Sequence, residues 1–121
     1  MSGESAALPL EIDVRTVAAR LKAAGAQPGA GDLALVDCRE PDEHQLVHIE
    51  GAELIPMSQF AGRVDELAKY RDRPLVVHCH HGGRSLRVVK WLRENGYPMA
   101  QSMAGGIDAW SLEIDPTKPR Y

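Results

Sequence analysis

Residues 74–86 read Pro74-Leu75-Val76-Val77-His78-Cys79-His80-His81-Gly82-Gly83-Arg84-Ser85-Leu86. Leu75 to Val77 form a short, unbroken apolar run, the pattern of a strand covered on both faces of a parallel sheet. The run passes straight into a loop with two adjacent glycines. Beyond it, Ser85, Val88, Val89 and Leu92 recur at helical spacing until Asn95-Gly96, a helix-ending pair. A strand that turns through a tight loop into a helix is the repeating unit of an α/β fold.

The same alternation extends in both directions. Upstream, Leu33-Ala34-Leu35-Val36 is a second strand of the buried kind, preceded by a Gly/Pro loop from Gln27 to Asp32. Before that loop, Asp13 is placed to cap a helix carrying Val14, Val17, Ala18 and Leu21 on one face, with Gly25 closing it. Leu10 and Ile12 fit a short edge strand. Glu40 to Leu46 reads as a short helix and Ala52 to Ile55 as a strand stopped by Pro56. Ser58 is expected to cap a helix whose face holds Phe60, Val64, Leu67 and Ala68. Downstream, Met99 to Met103 predicts a last strand, followed by Gly105-Gly106 and a helical turn around Trp110. The expectation is one α/β domain over residues 10–121, a parallel sheet with helices on both faces, behind a flexible tail at residues 1–9.

Composition narrows the function classes. Apolar residues make up 44% and charged residues 26%, which is globular. A net charge of -3 argues against nucleic acid as a partner, and no stretch has the apolar length of a membrane span. The opening residues lack a secretory signal, and with two cysteines this predicts a soluble cytoplasmic domain with reduced thiols.

Cys79 stands at the carboxyl end of a strand, where ligands bind in open α/β sheets. The amides from His80 to Ser85 have no strand partner there and are free to converge on one point. Gly82 and Gly83 allow the positive φ angles that such a cradle needs. The following helix points its positive end at the sulfur, a contribution of about 0.3–1 kcal/mol per charge. With the Arg84 cation nearby, the thiol is expected to ionise below its reference value of about 8.5. Cys38 follows a strand with no glycine loop, so it reads as a small core residue.

Cys79 to Ser85 resembles the Cys-x-x-Gly-x-Arg-Ser loop of rhodanese domains. Three further stretches resemble that family in the same order. They are Val36-Asp37-Cys38-Arg39-Glu40-Pro41-Asp42-Glu43, His48-Ile49-Glu50-Gly51-Ala52 with Ile55-Pro56, and Gly105-Gly106-Ile107-Asp108-Ala109-Trp110. The resemblance implies a sulfurtransferase that moves a sulfane sulfur from thiosulfate or a persulfide donor to a thiol or sulfur-carrier acceptor. Carried over, Cys79 is the nucleophile that holds the persulfide. His80, His81, Gly82, Gly83 and Arg84 bind the transferred sulfur and its donor, with Arg84 orienting an anionic donor. Asp37 and Arg39 support the site, and Trp110 packs as a structural aromatic. No cofactor is implied. The ending, Trp110 to Pro116 and Pro119 to Tyr121, resembles rhodanese domains fused to sulfur-carrier adenylating enzymes.

Three other readings compete. Cysteine phosphatases and arsenate reductases share the His-Cys…Arg-Ser pattern but place five residues between cysteine and arginine. Here there are four, His80 through Gly83, a ring too tight for a tetrahedral oxyanion. A metal site is suggested by the clustered His78, Cys79, His80 and His81. Adjacent His80 and His81 are expected to point apart, and structural zinc ligands are normally spaced by two residues or more, so no metal is expected. A non-catalytic rhodanese-like binding module would usually lack the cysteine, which is present.

Overall fold

The computed structural model describes residues 8–23 and 33–121. Five strands, β1 (Glu11–Ile12), β2 (Ala34–Asp37), β3 (Glu53–Leu54), β4 (Leu75–His78) and β5 (Ala100–Met103), form one sheet in the order β1-β5-β4-β2-β3. Every pairing is parallel. The helices are α1 (Val14–Ala23), α2 (Pro41–Leu46), α3 (Phe60–Arg63), α4 (Gly83–Glu94) and α5 (Gly106–Glu113). None is long and apolar enough to cross a membrane.

Side chains that alternate along the central strands feed two separate cores. Ala34, Val36, Leu75 and Val77 pack with Phe60 of α3 and Val88, Val89 and Leu92 of α4. Leu33, Leu35 and Val76 face the other way, onto Val14, Val17 and Leu21 of α1 and Ile107 and Trp110 of α5. Strands covered on both faces have no polar side to show. That is why β2 and β4 are unbroken apolar runs until their last residues, Asp37 and His78. The expected α/β sheet with helices on both faces is what forms. Asp13 caps α1 as expected, its carboxylate accepting the Thr16 amide at 2.8 Å. Gly25 and the loop from Gln27 lie outside the described residues. The carbonyls of Leu8 and Pro9 accept hydrogen bonds from Arg93.

One segment departs from its expected form. Ser58 does not cap a long helix; it lies in a 3-10 turn, Met57–Gln59, and its hydroxyl donates to Glu40. A second 3-10 stretch, Val64–Tyr70, follows α3. With three residues per turn the inward positions become Val64, Leu67 and Tyr70, and Ala68 turns outward. Only a period of 3.6 would put Ala68 on the core face.

All strands run the same way, so the ends of β2, β4 and β5 open on one side of the sheet. The Gly105-Gly106 pair sets α5 against the loop after β4. Gly106 has φ +60°, and a Cβ there would collide with the His80 carbonyl oxygen and sit 2.5 Å from that of Cys79. This close approach lets the amides of Ile107 and Asp108 bond the Cys79 and His80 carbonyls at 2.9 and 3.1 Å. Gly106→Ala is therefore expected to lower folding stability by more than about 2 kcal/mol, since it adds left-handed strain to a backbone clash. A shift of the urea midpoint without a change in slope is the reading that checks it.

Candidate active site

Cys79 is the first residue beyond β4, and its Sγ is buried among donors from the loop that follows. The Gly82 amide lies 3.1 Å from the sulfur, and the Ser85 amide and hydroxyl each lie at 3.4 Å. Gly82 makes this turn possible with φ +112°, whereas Gly83 is already the first residue of α4 and needs no such freedom. The expected two-glycine device therefore uses its first glycine only. Ser85 Oγ also meets Ser102 Oγ of β5 at 2.7 Å, so a short hydroxyl chain runs from the sheet to the sulfur. Cys38 follows β2 as Cys79 follows β4, at the ends of two paired strands. The neighbouring Cys38 thiol, with the hydrogen bonds of Ser85 and Gly82, outweighs burial and holds the Cys79 thiol at about 4. Cys38 is displaced upward by its neighbour Cys79 and by burial. Both cysteines are free thiols.

The Arg84 guanidinium is engaged by a carboxylate, gripping Glu43 of α2 with two parallel hydrogen bonds of 2.7 and 2.8 Å. This fork-to-fork geometry is the strong form of an arginine–carboxylate pair. Arg84 holds Glu43 at about 2, and Glu43 in turn raises the arginine. The hydrogen bonds that reach the Cys79 sulfur thus come from neutral N–H and O–H groups.

Asp37 and Arg39 are both fully buried at the end of β2. Arg39 bonds both Asp37 oxygens at 2.9 and 2.7 Å and reaches the carbonyls of Glu43 and Val47. Burial opposes ionisation of Asp37, but the Arg39 hydrogen bonds prevail and hold it at about 2. The His44 ring lies 2.9 Å from the same carboxylate. Neither Asp37 nor Arg39 touches the Cys79 sulfur; the pair anchors α2, which carries Glu43.

His80 and His81 do not point apart as expected. Their ring centroids are 3.8 Å apart, and with Asp108 they gather three potential ligand atoms within 4.8 Å of one another. Two histidines and a carboxylate are a donor set that transition metals accept. The Asp108 carboxylate, however, is already bonded by Arg120 at 2.8 Å. The His80 ring stacks on Tyr121 at 3.9 Å, nearly parallel, and burial lowers its proton affinity. Trp110 is buried in the α1–α5 core, as expected of a structural aromatic.

Four contributors to the site have no role that sequence reasoning assigns. Glu43 lies within one of the family-like stretches, and its spacing from Glu40 is visible, but its pairing with Arg84 is not. Ser102 carries a signal, a hydroxyl at a buried strand position. Cys38 reads only as core. Tyr121 has no local signal at all: its hydroxyl accepts from Arg39 at 2.9 Å and donates to Glu43 at 2.8 Å, closing the rim beside His80.

A doubly covered parallel sheet with a cysteine cradled at a central strand end defines a class of α/β thiol domain. A family model of the rhodanese-like domain matches residues 12–113, and the chain belongs to that family. It is 34% identical over 79 residues to the thiosulfate sulfurtransferase GlpE of Pseudoalteromonas translucida, covering 65% of this chain and 73% of that protein. It is 39% identical over 90 residues to the probable adenylyltransferase/sulfurtransferase MoeZ of Mycobacterium tuberculosis. That match covers 74% of this chain but 23% of MoeZ, and a match to the Arabidopsis thaliana rhodanese-like/PpiC domain-containing protein 12 covers 30% of that relative. Among solved structures, a rhodanese-related protein of Thermoplasma volcanium superimposes with TM-score 0.73 at 26% identity, over 88% of this chain and 94% of that one.

The depressed Cys79 thiol has a direct pH consequence. Its folded value lies below that of a free thiol, so the thiolate persists as pH falls and is lost only near pH 4. The rate of iodoacetamide alkylation of Cys79 is expected to be nearly flat from about pH 6 to 8 and to fall through about pH 4, whereas a free thiol of reference value would lose about ten-fold per pH unit below about 8. Alkylation mapped to the Cys79 peptide across that range checks it; a midpoint near 8 would contradict the geometry.

Proposed function

We propose that the protein is a sulfurtransferase that carries a sulfane sulfur on Cys79. The thiolate attacks the outer sulfur of thiosulfate, the S–S bond breaks, and sulfite leaves with the electron pair. The product is Cys79–S–S⁻. A thiol acceptor, as thiolate, then attacks the outer sulfur, takes it as its own persulfide, and Cys79 departs as thiolate. A persulfide donor runs the first step with a thiolate as leaving group. The observation that carries this reading is the Cys79 sulfur cradled by the Gly82 and Ser85 amides and the Ser85 hydroxyl. A thiolate held by such donors is nucleophilic without a general base. The same amides suit the negative outer sulfur, as an oxyanion hole suits oxygen.

His80, His81 and Gly82 would line the path to the outer sulfur. Gly83 and Arg84 start α4, and Arg84 acts by clamping α2 through Glu43. Asp37 and Arg39 hold the same clamp from below. The Arg84 charge is engaged by Glu43 and His80 is kept neutral by burial, so the rim offers a dianion little net positive charge. Persulfide donors, which bring less charge, are therefore the better substrates. The relatives named adenylyltransferase/sulfurtransferase support a sulfur-carrier acceptor alongside small thiols. The two free thiols fit a reducing, cytoplasmic setting.

Incubation with thiosulfate followed by intact mass measurement is expected to show a gain of one sulfur atom, removed by reductant and absent in Cys79→Ser. A wild-type protein that gains no sulfur from thiosulfate or from a persulfide would leave a binding module in place of an enzyme. Glu43→Gln is expected to release Arg84 toward the rim and lower the Michaelis constant for thiosulfate by about two- to five-fold, the scale of a partly exposed charge pair. The Michaelis constant for a persulfide donor should move less. Steady-state kinetics with both donors checks the difference.

A further inference from the structure

We propose that Ser102 is a positioning residue for the Cys79 chemistry: its hydroxyl donates to Ser85 Oγ and so keeps the single Ser85 proton available to the sulfur. The proposal rests on the reading of Cys79 as the sulfur carrier. Its basis is where β5 runs. Ser102 lies opposite Val77 in the register of β4 and β5, two residues before Cys79. On its other side the Ser102 amide bonds the Leu10 carbonyl at 2.8 Å, so the backbone is held from both neighbours. Side chains alternate along a strand, and Ala100, two residues back, packs in the core shared with α4. Ser102 therefore points to that same side, where Ser85 stands in the first turn of α4. Both serines are fully buried.

Each hydroxyl carries one proton and accepts up to two hydrogen bonds. Among the described residues, Ser102 Oγ has one partner, Ser85 Oγ at 2.7 Å. Ser85 Oγ has two more: the Gly82 carbonyl at 3.2 Å and the Cys79 sulfur at 3.4 Å. If Ser85 gave its proton to Ser102, the Ser102 proton would have no acceptor in the core. The carbonyl and a Cys79 thiolate would then receive nothing from Ser85. A buried donor left unmade costs more than an ordinary hydrogen bond contributes. The polarity of the chain is therefore fixed. Ser102 donates, Ser85 accepts, and the Ser85 proton is shared between Gly82 and the sulfur.

The arrangement acts in both halves of the transfer. An ionised acceptor makes the stronger hydrogen bond, so with Cys79 as thiolate the Ser85 hydrogen turns to Sγ, beside the Gly82 and Ser85 amides. The Gly82 carbonyl keeps the Leu86 amide at 3.0 Å meanwhile. When Cys79 carries the persulfide, the charge lies on the outer sulfur and the inner sulfur is neutral, and the hydrogen returns to Gly82. When an acceptor takes the outer sulfur, the hydrogen swings back to the departing thiolate. Only a rotation about the Ser85 C–O bond is needed, and no proton changes its oxygen. Donation from Ser102 also polarises the Ser85 hydroxyl, since hydrogen bonds in a chain strengthen one another.

The test compares wild type, Ser85→Ala, Ser102→Ala and the double variant by the pH dependence of Cys79 alkylation, which requires no sulfur donor. The titratable and charged groups packed around Cys79 are Cys38 beyond β2, His78 of β4, and Arg84 of α4 with its partner Glu43 of α2. Every variant retains them. Ser85→Ala is expected to raise the midpoint by about one pH unit, a ten-fold change in proton affinity and the scale of a hydrogen bond to a charged group. Ser102→Ala is expected to raise it by about half a unit, or about three-fold. The double variant should match Ser85→Ala alone, because Ser102 reaches the sulfur only through Ser85. A midpoint unchanged in folded Ser102→Ala, or shifts that add in the double variant, would overturn the proposal, since a packing role gives the first and an independent path the second. Wild-type protein gives a further reading that needs no variant. The resonance of the buried Ser85 hydroxyl proton should shift when Cys79 is alkylated and the anion is lost; a resonance indifferent to alkylation also overturns it. Sulfur loading with no midpoint shift would sink the role of Ser102 alone. A shift without any sulfur loading would sink the transferase reading and leave the hydroxyl chain standing.

Discussion

Arg39 is wholly buried, and a guanidinium can leave water only where its five N–H groups find acceptors. Its partners come from separate parts of the chain: Asp37 at the end of β2, the carbonyls of Glu43 and Val47 along and after α2, and the hydroxyl of Tyr121. Each acceptor is held where the cation needs it, so the rim of the site inherits its shape from this one charge. Removing a partner from such a pair costs about 3–5 kcal/mol in typical cases, because the remaining charge is left unpaired in the core. The placement of Glu43, and through it of Arg84, follows from that constraint.

The consequence for chemistry is a division of labour. Charged groups serve the architecture: Arg39 with Asp37, Arg84 with Glu43, Arg120 with Asp108. The sulfur itself is surrounded by neutral groups, two amides and a hydroxyl. A cation near Cys79 would stabilise a thiolate but would also stabilise any other bound anion. Neutral donors aimed at one point favour the charge at the sulfur with less attraction for the rest of the donor, which is the logic of a preorganised oxyanion site.

Much of this is legible in the order of residues alone. Apolar runs at 33–36 and 75–77 and helical stripes at 14–21 and 85–92 are local patterns, and they mark the strands and helices in the right places. The 64–70 segment is ambiguous because Leu67 serves both a 3.6 and a 3.0 period, and packing against the sheet selects the tighter one. The cysteine cradle is also visible, since a strand, a glycine turn and a helix in direct succession leave little freedom for where Cys79 stands. The orientations of His80 and His81 are not visible. Their rings come together because Tyr121 and α5 close over the loop, and nothing within the loop encodes that.

Neighbours along the chain settle the local chemistry: a thiol at a strand end, a turn that needs Gly82, and a helix behind it. Which groups surround that thiol depends on segments far apart in the chain. Arg84 meets a carboxylate 41 residues away, and Tyr121 reaches one 78 residues away. Cys38 leaves β2 beside Cys79 because β2 and β4 are neighbours in one register. A shift of that register by one residue would turn the two thiols to opposite faces. Side-chain identity sets what a residue can donate or accept. Only the order and register of the strands set what it has to donate to.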